Sequence, residues 1–104
     1  MKPAQGITDL DDIDAVFTAL AHATRRHLLQ VLHARGPMTA GELSSRFSHS
    51  WPTTTRHLNV LLGAGLVEVD VVGRERHYRL ARQRLGDVVA LWLHGVGFEL
   101  GEAA

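Results

Sequence analysis

The sequence predicts a mainly helical domain carrying one β-hairpin, with elements in the order α-α-α-α-β-β-α. Apolar residues recur at helical spacing through most of residues 10–63, and two of those helical stretches are separated by only three residues. After Gly65 the apolar period changes from 3.6 to 2, then returns to helical spacing near Arg82. A chain of 104 residues has room for one modest core, so we expect a short tail at 1–8 and a single domain over 9–104.

The first helix is expected over 10–21. Leu10, Ile13, Val16, Phe17 and Leu20 form its apolar stripe, and Asp9, Asp11, Asp12 and Asp14 crowd its first turn, where the helix dipole favours negative charge. A second helix runs from Ala23 to Ala34 with Leu28, Leu29, Val31 and Leu32 inward, and Gly36-Pro37 stops it. Thr39-Ala40-Gly41-Glu42 has the form of a capping box, so a short third helix starts at Ala40 and reaches Phe47. Ser48-His49-Ser50 makes the turn into a fourth helix, with Ser50 as N-cap, Pro52 in the first turn and Gly63-Ala64-Gly65 at its end. Helices three and four therefore form a helix-turn-helix. Val67, Val69 and Val71 alternate with Glu68 and Asp70, Gly73-Arg74 turns the chain, and Arg76-His77-Tyr78-Arg79-Leu80 returns as the second strand. A last helix from Arg82 carries Leu85, Val88, Val89, Trp92, Leu93 and Val96, more apolar surface than one small core can cover, so part of it should face a partner.

Composition excludes several classes of function. The chain has no cysteine, which removes disulfides, thiolate metal sites and thiol redox switches. No run of about 18 apolar residues is present to span a membrane, and the N-terminal residues do not read as a secretory signal, so a cytoplasmic location is expected. Phosphate-loop and H-E-x-x-H patterns are absent, and Gly95-Val96-Gly97 follows a helix rather than a strand, so no enzyme is predicted. Formal net charge is zero, but it is unevenly placed. Residues 1–20 hold one Lys and four Asp (net −3), residues 21–84 ten Arg and four acids (net +6), and residues 85–104 three acids and no Lys or Arg (net −3). A basic centre between acidic ends suits a polyanion-binding surface whose termini are turned elsewhere.

The fourth helix carries the chemistry. On a helical wheel Thr54, Leu58, Leu61 and Leu62 fall on one side and Pro52, Thr53, Arg56, His57 and Asn59 away from it. An α-helix fits the major groove of DNA with its N-terminal residues at base edges, where Arg56 can pair bidentately with guanine. Ser50, Trp51, Thr53 and Thr55 stand at the N-terminus, where hydroxyls and free N–H groups can hold phosphates. His57 and the inner Thr54 complete the candidate set on this helix. Three consecutive β-branched threonines cost about 0.5 kcal/mol each in helix propensity, which points to a role other than helix stability, although capping or simple solvation also accounts for them. Arg74, Arg76 and Arg79 make the hairpin cationic, with Arg74 and Arg76 the candidate contacts to flanking backbone or minor groove.

Ala19-Leu20-Ala21-His22-Ala23-Thr24-Arg25-Arg26-His27-Leu28-Leu29, Thr39-Ala40-Gly41-Glu42-Leu43, Ser50 to Leu61, Ala64-Gly65-Leu66-Val67 and Gly73 to Leu80 together resemble the ArsR/SmtB repressors over about residues 10–95. The resemblance implies a winged helix-turn-helix and a homodimer built from the first and last helices. It further implies double-stranded DNA as partner, a palindromic operator read by two recognition helices about one DNA turn apart, and release by an effector that the sequence does not identify. Three positions depart from the pattern. His49 replaces an apolar residue, Ser48 a turn glycine, and Trp51 a small or polar residue. Trp51 either stacks on a sugar or thymine methyl, or packs against its own domain.

Many members of that family sense metals. The cysteine site near the third helix cannot exist here, and of the Asp-x-His and His-x-x-Glu pattern on the last helix only Asp87, Val89, His94 and Glu99 stand in place. Asp87 and His94 pooled between subunits are the remaining candidates for zinc or nickel, and no cofactor is otherwise expected. His22, His27 and His33 are spaced five and six apart and do not share one helical face. Two alternatives stand beside a plain repressor: a metal-responsive repressor of the same fold, and a winged-helix protein-interaction module without its own DNA specificity.

Overall fold

A computed structural model describes residues 10–99. The expected tail at 1–8, Asp9, and residues 100–104 of the expected domain lie outside the described residues. The elements are α1 (Leu10–Leu20), α2 (Ala23–Arg35), α3 (Ala40–Arg46), α4 (Trp51–Gly63), β1 (Val67–Val72), β2 (Glu75–Leu80) and α5 (Arg82–Gly95), in the predicted order.

Helix boundaries follow local chemistry. At α3 the capping box closes in both directions, with the Glu42 N–H donating to Thr39 Oγ1 at 3.1 Å and the Thr39 N–H to Glu42 Oε1 at 2.9 Å. The Thr39 N–H, and then the Thr39 hydroxyl, hold the Glu42 carboxyl below its ordinary pKa. The helix stops one residue earlier than expected. Phe47 leaves it with extended backbone, packs its ring against the core and meets His27 edge-on. The connection to α4 is therefore residues 47–50. Gly65 adopts a left-handed φ of 76° and ends α4, so that the Leu66 N–H returns to the Leu61 carbonyl at 2.9 Å and Leu66 drops into the core.

β1 and β2 pair antiparallel from Val67↔Leu80 to Val72↔Glu75 around Gly73, whose φ of 64° suits the turn. Pleating separates two faces. Val67, Val69 and Val71 lie with Arg76, Tyr78 and Leu80, while Glu68, Asp70 and Val72 lie with Glu75, His77 and Arg79. Met38 adds a one-residue bridge on the other edge of β2, exchanging backbone hydrogen bonds with Tyr78 at 3.0 and 2.8 Å. That bridge ties the start of the helix-turn-helix to the hairpin.

The core lies between α2, α3, α4 and the hairpin base, where Leu28, Leu32, Leu43, Leu58, Leu61, Leu66 and Val67 are buried, closed by Val16 of α1 and Val88 of α5. α1 and α5 also pack on each other through Phe17 and Trp92, edge-to-face at 5.6 Å, and through Arg84 and Asp12 at 3.5 Å. Their outer surface exposes Leu10, Phe17, Leu91, Trp92, Val96 and Phe98.

Candidate nucleic-acid interface

The N-terminus of α4 is built as a hydroxyl relay. Ser50 caps the helix by accepting from the Thr53 N–H at 3.3 Å and donates its own hydroxyl to Thr53 Oγ1 at 3.1 Å. The same Thr53 oxygen accepts from Arg56 Nη2 at 3.3 Å, which steadies the guanidinium one turn along the exposed face. Arg56 has no ion-pair partner among the described carboxylates and most of its donors remain available.

Two members of the candidate set lie elsewhere than on that face. Thr54 is 1% exposed and packs with the core, so its side chain is not presented to a ligand; the wheel position shared with Leu58 and Leu61 decides this. His57 is half-buried and turned sideways towards the junction of α1 and α2. There its Nδ1 lies 3.4 Å from Arg25 Nη1, and its ring is 4.5 Å from that of His22 and 6.1 Å from that of His49. Burial, and then the positive charges of His22, Arg25, His49 and Arg56, lower its pKa.

Arg25 is a residue whose part was missed in the sequence. Its Nε donates to the Ala19 carbonyl at 2.8 Å and Nη2 to Thr18 at 3.0 Å, while Arg26 donates to Leu20 at 2.7 Å. Both arginines occupy the first turn of α2, where the helix dipole disfavours cations, and both instead satisfy the free carbonyls at the C-terminus of α1. That mismatch of charge and position was the available signal. Through His57, Arg25 also braces α4. His49, with Nε2 3.3 Å from the Thr24 hydroxyl, and His22, whose Nδ1 caps α2, complete the brace.

On the hairpin, Arg74 is exposed at the tip, and Arg76 lies with its guanidinium carbon 5.8 Å from the Tyr78 ring centroid. Arg79 does not join them. It donates across the strands to Asp70 at 2.7 Å and to Glu68, so its charge is balanced locally and its pKa is raised by those partners. The register that sets Glu68 opposite Arg79 causes this. Between the hairpin and α4 runs a groove of about 640 Å³, lined by Trp51, Thr55, Asn59, Arg74, Glu75, Arg76 and Tyr78 among others.

The two metal candidates are separate within the chain. Asp87 accepts from Gln83 at 2.7 Å, His94 pairs with Glu99, and among the described residues no three potential ligands converge.

A family model described as a helix-turn-helix domain matches residues 20–70. The chain is 35% identical over 74 residues to the transcriptional repressor SdpR of Bacillus subtilis, covering 71% of this chain and 81% of that protein. Its fold is similar to that of an ArsR-like transcriptional regulator from Rhodococcus sp. RHA1, with TM-score 0.74 and 34% identity over 84% of this chain and 80% of the other. It is also similar to a homodimeric winged helix-turn-helix DNA-binding domain from Mycobacterium bovis, with TM-score 0.68 and 28% identity over 84% and 80% of the two chains.

Proposed function

Because the chain belongs to the ArsR family of winged helix-turn-helix transcriptional regulators, we propose that this DNA-binding regulator acts as a homodimeric repressor that reads a palindromic operator. The observation that carries the reading is Arg56: a cation without a carboxylate partner, steadied by Thr53 on the exposed N-terminal face of the second helix of the helix-turn-helix. In this reading Arg56 reads a guanine, and Ser50, Trp51, Thr53 and Thr55 position the helix on the duplex. Arg74 and Arg76 hold flanking phosphates or enter the minor groove. Dimerisation through α1 and α5 would cover the exposed Phe17, Leu91, Trp92 and Val96, and would set two recognition helices about 34 Å apart. Repression is supported by the likeness to SdpR, itself a repressor. Zinc or nickel control through Asp87 and His94 finds no support in the geometry within one subunit.

Selection of bound sequences from a randomised duplex library, followed by gel shift over a salt series, tests this. A palindromic consensus should emerge, bound at least about 10³-fold more tightly than random duplex. Arg56→Ala should lose about 5- to 150-fold of the discrimination at one base pair per half-site. Equal, weak binding of every duplex at low salt would refute sequence-specific regulation.

A further inference from the structure

We propose that Trp51 is a specificity-determining residue that reads the 5-methyl group of a thymine in the major groove. The inference rests on the DNA-binding reading above and gives it a second base contact beside Arg56.

Two residues that are each locally unfavourable meet at this point. Gly41 stands in the first turn of α3, where glycine gives up backbone entropy that alanine would not. Trp51 opens α4 and is 62% exposed, in a groove it shares with Thr55, Asn59, Arg74, Glu75 and Arg76. The structure explains the first by the second. A Cβ placed on Gly41 would lie 3.3 Å from both Cζ3 and Cη2 of Trp51, so only glycine lets the edge of the six-membered ring settle against α3 without displacement. The indole is therefore seated on one side and open on the other. Contact along one edge narrows the range of positions the ring can take, which lowers the entropy cost of a contact made by its open side.

The open side borders the groove that Thr55, Asn59, Arg74, Glu75 and Arg76 also line. A helix entering the major groove by its N-terminus brings its first residue to the base edges. Base edges there present hydrogen-bond donors and acceptors, and one apolar group, the thymine methyl. An indole offers its ring face to that methyl, and polar edges offer nothing equivalent. The packing alternative raised by the sequence accounts for only one edge of the ring, since most of the side chain stays exposed.

The test uses the full chain and the tightest duplex from the library selection. Each thymidine is replaced singly by deoxyuridine, which removes only the methyl, and affinities are measured by fluorescence anisotropy. Wild type should lose about fourfold at one thymine per half-site, the effect of one buried methyl. Trp51→Ser should bind more weakly overall and lose nothing at that same replacement. Gly41→Leu, which fills the seat with a larger side chain and unseats the indole, should blunt the same thymine effect, so the proposal stays testable if Trp51→Ser does not fold. Retention of the full thymine effect in Trp51→Ser would overturn the proposal. So would an affinity loss in Trp51→Ser with no thymine-sensitive position in wild type, the outcome expected if the ring stacks on a deoxyribose. A library that yields no preferred duplex would instead remove the DNA reading on which the proposal stands.

Discussion

Thr54 sits near the start of α4, and replacing it by valine should make the protein more stable. Its side chain is buried, and its hydroxyl has no hydrogen-bond partner. A desolvated hydroxyl without a partner costs about 1–3 kcal/mol, and valine has nearly the same shape and a similar helix propensity. Thr54→Val should therefore gain about 1–2 kcal/mol. Unfolding entropy of about 2.1 cal/mol/K per residue gives about 0.2 kcal/mol/K for this chain, so Tm should rise by about 5–10 °C. Circular dichroism melts at one fixed protein concentration measure this, since the proposed dimerisation would make Tm concentration-dependent. Thr54→Ser, which keeps the hydroxyl and deletes the methyl, should lower Tm instead. Affinity for the selected duplex should stay within about twofold of wild type for Thr54→Val, because no buried methyl reaches the groove. A lower Tm for Thr54→Val would show that the hydroxyl is satisfied in solution. A large loss of DNA affinity at unchanged stability would place Thr54 back among the contact residues.

The hairpin arginines should separate by salt dependence. Arg74→Ala should reduce the slope of log affinity against log salt by about one unit, whereas Arg79→Ala, already neutralised by Glu68 and Asp70, should leave it unchanged; equal effects would refute the distinction. His57 should give a pH dependence to folding. Its pKa is lowered in the folded chain, so the unfolded chain binds more protons, and the stability present above about pH 6.5 is lost as pH falls towards and through the folded value. His57→Asn, which keeps an acceptor for Arg25, should shrink the fall in urea midpoint between about pH 7.5 and about pH 5.5; an unchanged fall would exclude His57 as its source. If the chain dimerises as proposed, Trp92→Asp should convert the dimer to monomer in analytical ultracentrifugation while the far-ultraviolet spectrum is retained; an intact dimer would place the interface away from α5.

The local parts of this protein were legible in its sequence because their causes are local. The capping box of Thr39 and Glu42, the glycine stops at Gly36 and Gly65 and the change from helical to alternating spacing depend on residues a few positions apart, so they set the elements and their order without reference to the rest of the chain. The composition likewise showed a basic centre under a net charge of zero. Which side chains remain available was decided by contacts between distant residues. Arg79 is withdrawn from the cationic hairpin by the cross-strand register, which leaves Arg74 and Arg76 exposed. His57 is turned towards Arg25, a residue 32 positions away, and Trp51 finds its seat on Gly41 across the helix-turn-helix. Periodicity states which face of a helix is apolar. It cannot state what lies opposite a polar residue at the edge of that face, because close packing in three dimensions assigns that neighbour.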